Sequence, residues 1–387
     1  MASYFFRNNT TAWNLAANWS LTDGGGATGA IPLATDDAFF SNNSGNVVMN
    51  SGTLVCKTLD FTQGTGFTGT VTMTVGLAVS GSITLNSAMG TISGAGTLTV
   101  NATATLTSNG KTWATPFAFG GTSPAFTIAA SNWTTGSSVS WAPTGGSMNG
   151  NKLNCGTGLT CSTGIGGTTE IVMIGTGNYN GNINFTGGMS LTFNTSGTIT
   201  FLSGFTLTGG TITYTAGTIN VGTNTITIGA SSVLNTNGIN WYNITIAGSV
   251  SISSLLTVTN TLSLPNAAVT FSGSSGWITN TLISAAGATG RTWTLVSTNT
   301  YTINSAMTIN TASSVSHNSF ISSSPGTKAI LTLKNGATQD LSFVNATDID
   351  SSNGQTIWTY KGTITTSLNW NTLPTEPKTI ATQFVHQ

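Results

Sequence analysis

From position 197 the chain reads GTITFLS, GFTLTG, GTITYTA, GTINVGT and NTITIGA, and each unit carries two apolar residues two apart. The pairs are Ile199/Phe201, Phe205/Leu207, Ile212/Tyr214, Ile219/Val221 and Ile226/Ile228, whose first members are 6, 7, 7 and 7 residues apart. A second run, Ile244/Ile246, Val250/Ile252, Leu256/Val258 and Leu262/Leu264, steps by 6 each time. An i, i+2 pair places both side chains on one face of a strand. The residues around the pairs are mostly Thr, Ser and Asn, which suit a solvent face. Gly and Asn at the joints permit the positive φ of sharp corners. The pattern therefore predicts a string of very short strands with tight turns.

Two all-β folds fit this pattern. One is a β-solenoid with about three short strands per coil, roughly 18 to 21 residues per coil from the step above. The other is a meander or sandwich of short hairpins. The near-constant step and the two inward side chains per strand favour the solenoid. So does the persistence of the repeat from about Val71 to Asn310. The irregular step leans toward a right-handed parallel β-helix. If about 14 coils stack ~4.8 Å apart, the stack is on the order of 65 Å long. Thr, Ser and Asn ladders are expected along it. An open stack needs covered ends. The expected division is an N-terminal cap or attachment region over 1–60, a solenoid shaft over 61–345, and a C-terminal cap with an extended tail over 346–387. Trp13 and Trp19, in WNLAANWS, are the candidates for covering the first coil, and Trp358 and Trp370 for the last. The tail from Leu373 to Gln387, with Pro374 and Pro377, reads as an extended arm.

Composition narrows the function. Only 5% of the 387 residues are charged, with 9 Lys or Arg against 9 Asp or Glu and a formal net charge of zero. So few basic residues supply no electrostatic term for nucleic-acid binding. No apolar run reaches the ~18 residues of a membrane helix. Met1–Thr10 holds one Arg and an aromatic pair but no long apolar core, so no secretory signal is expected. Asn-x-Ser/Thr sequons at Asn8, Asn18 and Asn132 then read as a product of composition. Abundant Thr, Ile and Val set the chain apart from disordered sequences.

The chemistry-bearing residues are sparse. Between Phe61 and Gln339 the single acid is Glu170, whereas glycoside hydrolysis needs two facing carboxylates. Adjacent Asp36 and Asp37 would point to opposite faces of a strand. His317 and His386 are the only histidines, no G-x-S-x-G elbow occurs, and GTGLTCSTGIGG lacks the Lys of a phosphate loop. No catalytic residue and no cofactor are expected. Asp348, Asp350 and Asn353, in DIDSSNG, form a weak calcium candidate, because the Gly falls one place late and Thr359 stands where an EF-hand has Glu. A turn with Asx hydrogen bonds is the competing account. Cys56, Cys155 and Cys161 are odd in number, so a full disulfide framework is not expected. Cys155 and Cys161 are close enough in sequence to pair across a loop. Lys111 to Pro143 breaks the rhythm with clustered aromatic residues. Trp113, Trp133 and Trp141 there, and Trp241 further on, are candidate carbohydrate contacts or core filler.

Trp13–Phe40, Asn237–Leu264 and Asn345–Asn371 carry a resemblance to β-solenoid virion proteins of tailed bacteriophages, of the fibre, spike or decoration type. The likeness lies in Thr/Gly/Asn-rich strand repeats, terminal Trp motifs and an uncharged shaft, with no single diagnostic motif among them. It implies a non-enzymatic virion surface protein, a tail-fibre or spike-like adhesin touching the host surface or its glycans. The alternatives are a capsid decoration protein and a polysaccharide depolymerase tailspike, the last without shaft carboxylates here. The resemblance further implies a homo-oligomer, expected to be a trimer, in contact with other virion proteins. It implies a place on the exterior of the particle after synthesis in the host cytoplasm.

Overall fold

The computed structural model describes residues 1–7, 11–181, 183–265, 268–284, 290–310 and 316–374. The chain is 55% strand and 1% helix, and its parallel strands stack into a β-solenoid of about 15 turns. It divides into two compact units, one of 1–203 with 215–220 and one of 204–214 with 221–387.

In the first unit each coil contributes three short strands. One column stacks Ser3–Phe6, Asp37–Ser41, Thr58–Gln63, Ile83–Thr84, Ala104–Thr107, Ala125–Ala129, Ser147–Gly150 and Gly166–Gly167. The column ending each coil runs through Leu77–Val79, Leu98–Val100, Phe117–Phe119, Val139–Trp141 and Gly158–Cys161. Registers match inward residue to inward residue: Leu77, Leu98, Phe117, Val139 and Leu159 lie one above another. All five are buried. Each three-residue strand thus points its first and third side chains inward, the i, i+2 pattern of the sequence.

In the second unit neighbouring strands fuse. Asn240–Ile246, Leu256–Ser263, Trp277–Ser284 and Thr300–Asn310 pair in parallel in that order, and their registers slip between Trp241 and Asn243, Val258 and Thr261, and Thr279 and Thr281. Such a slip bends a continuous strand round a corner without a loop. Coil length varies more than the sequence step implies. Stacked partners are 18 residues apart at Thr225 and Asn243, 22 at Ala104 and Phe126, and 32 at Asn310 and Ser342. Insertions at the corners absorb the difference and leave the inward pairs stacked. Most of the repeat pairs are buried, but Tyr214 and Ile219 are only half-buried. The Tyr214 ring packs on Gly238, where a Cβ would come within 2.8 Å of it.

The expected ladders form. Asn260 Nδ2 donates to Asn243 Oδ1 at 2.8 Å, and Asn304 Nδ2 to Asn280 Oδ1 at 3.2 Å. Coil stacking reaches past the expected cap boundaries. Ser3–Phe6 already pairs in parallel with Asp37–Ser41, and Trp370–Leu373 still pairs in parallel with Ile357–Tyr360. The first column is closed by Trp19–Ser20, which runs antiparallel to Ser3–Phe6. Such reversed pairing blunts a parallel edge. Of the expected tail arm, residues 375–387, with Pro377 and His386, lie outside the described residues, as does Asn8. Among the described residues no helix is long and apolar enough to cross a membrane.

Candidate functional site

The four tryptophans proposed from the sequence as sugar contacts all point inward. Trp113, Trp133, Trp141 and Trp241 are at most 1% exposed. Each occupies an inward position of its strand, so the ring faces the neighbouring coils and no face is open for a sugar. Trp141 packs on Phe119 and Phe126 with centroids 5.2 and 5.6 Å away, and its Nε1 donates to Gly164 O at 3.1 Å. Trp133 packs on Phe117 at 5.3 Å, and Trp113 Nε1 donates to Thr115 Oγ1 at 2.8 Å. The rhythm break over Lys111 to Pro143 is therefore a stretch of coils filled with large aromatic side chains.

The terminal tryptophans differ among themselves. Trp13 and Trp19 are fully buried, with ring centroids 4.8 Å apart, and Trp19 also packs on Phe6 at 5.1 Å. They close the first coil from inside, so neither presents an attachment surface. Trp370 is buried and donates through Nε1 to Ser351 Oγ at 2.8 Å. Trp358 lies half-buried in the outward phase of Ile357–Tyr360, between buried Ile357 and Thr359.

The calcium candidate is occupied by the protein's own donors. Asp348 accepts from Thr366 Oγ1 at 2.5 Å and from the Gly326 N–H at 2.8 Å. Asp350 Oδ1 accepts from the Ser352 N–H at 2.8 Å, an Asx turn, while Asn353 is exposed. Among the described residues no group of three or more His, Cys, Asp or Glu is placed to hold a metal ion. The Thr366 and Gly326 donors hold the Asp348 carboxyl below its ordinary value of 3.8. A depressed carboxyl stabilises the fold above the unfolded value and loses that contribution as pH falls through the folded one. Asp348→Asn should therefore flatten the loss of stability below about pH 4, read as urea midpoints from about pH 2 to 6. An unchanged acid limb would sink this assignment.

The three cysteines are free and buried. Burial pushes Cys155 up to about 12. It raises Cys56 and Cys161 as well, with smaller pushes from Asp37 and Cys155. A thiol held neutral in the fold stabilises it at neutral pH. That contribution fades as pH climbs past the unfolded value of 9.0. Native protein should react slowly with an aromatic disulfide reagent at about pH 8, and urea-unfolded protein should release three equivalents at once. A fast native equivalent would place one thiol at the surface.

What remains on the surface is mostly uncharged, with scattered exposed charges such as Asp23, Lys334, Asp340 and Lys361. Glu170 is bound by Lys152 Nζ at 2.9 Å and by Thr192 Oγ1 at 2.6 Å. A cavity of about 410 Å³ opens in the first unit against Gly145, Gly146, Ser147, Gly164, Gly166, Asn184 and Thr186. It sits on the corners of three successive coils. At Gly146 a Cβ would lie 2.8 Å from Pro143 Cβ and 3.3 Å from Trp141 Cζ2, so a side chain there would press on the packed residues behind the hollow. Hydroxyl, amide and carbonyl groups line it, and no titratable side chain does. Such a lining can exchange hydrogen bonds with a neutral polar ligand and offers no acid, base or nucleophile. No sequence signal pointed to this cavity, because its glycines are four among 48 spread along the chain. No family model, no curated protein and no solved structure matches the chain.

Proposed function

We propose that the protein is a non-enzymatic surface component of a bacteriophage particle, of the fibre or spike type, that meets the host surface or its glycans. The observation that carries this reading is the sparsely charged polar exterior of the coils, on which Glu170 is tied to Lys152 and Thr192. A neutral hydroxyl- and amide-rich face suits weak contact with uncharged sugars, and repetition in a homotrimer would add avidity. With the four candidate tryptophans inside, the contact falls to polar groups, such as those that line the hollow at Gly146, Ser147, Asn184 and Thr186. The competing decoration reading needs an attachment surface that Trp13 and Trp19, both buried, do not supply.

Antibody against the chain should label the tails of intact particles of the phage that encodes it, and a host-glycan array should show binding without shortening of the polymer. Label on the head would replace this reading by the decoration protein. Release of oligosaccharides, abolished by Glu170→Gln, would replace it by the depolymerase.

A further inference from the structure

Arg291 stands where the fold calls for an apolar residue. It begins the alternation Arg291, Trp293, Leu295, all three buried, while Thr292 between them is exposed. The side chain is only 7% exposed, and its Nε and Nη1 are buried with no hydrogen-bond partner. Asn318 lies beside it on the next coil, because Thr292 registers with Ser319 and Trp293 with Phe320. Asn318 is fully buried, its Oδ1 accepts from the Arg291 backbone N–H at 3.2 Å, and its Nδ2 has no partner. Turning the amide over would not help, since it would set Nδ2 against the Arg291 N–H, donor against donor.

Three buried donor groups thus lie side by side on adjacent coils with no acceptor among the described residues. Two of them belong to the Arg291 guanidinium, which carries a full positive charge, and no described carboxylate pairs with it. A buried cation without a counter-charge is among the least tolerable features of a protein interior. Water would satisfy N–H groups but leave the charge. A small anion satisfies both, because it accepts several N–H bonds and cancels the guanidinium charge. We infer that Arg291 and Asn318 form an internal binding site for a small monovalent anion of halide size, bound between two coils of the second unit. Occupancy would tie the coil carrying Thr292–Leu295 to the coil carrying Asn318–Ser322.

The probe is bromide. Thermal and urea unfolding should be compared in sodium bromide and in sodium gluconate of equal ionic strength, the gluconate anion being too large to enter. One site predicts that the unfolding constant falls about tenfold for each tenfold rise in bromide above its dissociation constant. Crystals grown in bromide should show an anomalous peak within hydrogen-bond reach of both Arg291 and Asn318. Arg291→Met should lose the bromide dependence. Asn318→Asp keeps the acceptor for the Arg291 N–H and puts a carboxylate oxygen where Nδ2 stood. It should fold, gain stability in gluconate, and no longer respond to bromide. This second variant decides the matter even if Arg291→Met does not fold. Equal stability of the parent protein in both salts, with no anomalous peak at the site, would overturn the inference. So would an Asn318→Asp variant less stable than the parent in gluconate.

Discussion

Trp141→Ala is expected to destabilise the first unit by about 3–5 kcal/mol, the usual cost of emptying a buried tryptophan site. Two contributions add. The indole leaves a hole against Phe119 and Phe126, and Gly164 O loses its donor. Collapse is restricted, because Trp141 registers with Phe119 on one side and Cys161 on the other, and both are held in their own strands. The cavity therefore persists, and the cost falls toward the upper part of the range. Urea unfolding followed by far-ultraviolet circular dichroism reads the effect as a lowered midpoint. A surface platform for sugar would behave in the opposite way, with an unchanged midpoint and lost glycan binding. An unchanged midpoint would therefore refute the interior assignment of Trp141.

That test marks where the sequence was legible. The period-two pairs announce short strands, and the structure stacks them as the spacing implies: Ile226, Ile244, Leu262 and Leu282 form one inward column. The inward or outward sense of the aromatic stretch was less plain, since one odd-length turn reverses the phase of every later side chain. Trp133 and Trp141 each sit in a three-residue strand, WTT and VSW, too short for alternation to show which face is wet. Arg291 was legible in principle, because RTWTL alternates and places Arg in phase with Trp293 and Leu295. A cation in that phase reads as a break in the pattern unless its neighbour on the next coil is known. That neighbour, Asn318, is 27 residues away, a separation set by corner insertions with no periodic trace. The hollow at Gly146 is hidden for the same reason, since it exists only where three coils align.

Corner glycines carry the second large expectation. Gly94→Ala should cost backbone strain of ~1–3 kcal/mol and a further ~1–3 kcal/mol for displacing packed atoms. Gly94 has φ of 113°, a region side chains rarely adopt, and it stacks in register on Met73. A Cβ there would sit 1.9 Å from Met73 O and 2.6 Å from Met73 C, both backbone atoms of the coil beneath. No rotamer change relieves such a clash, so the two coils must separate and weaken the pairing of Ile92–Gly94 with Val71–Met73. Gly110→Ala supplies the control in the same unit. Its φ is 80°, yet nothing lies within 4 Å of an added Cβ, so it should carry the strain contribution alone. The difference between the two urea midpoints isolates close coil contact from backbone preference. If Gly94→Ala and Gly110→Ala cost the same, the corner glycines serve only to turn the chain. If Gly94→Ala costs distinctly more, the spacing between coils is what excludes a side chain at that corner. The same geometry recurs at Gly273, where φ is 92° and a Cβ would lie 2.4 Å from Ile252 O. A stack built this way tolerates insertions at open corners and resists even one added methyl group where two coils touch.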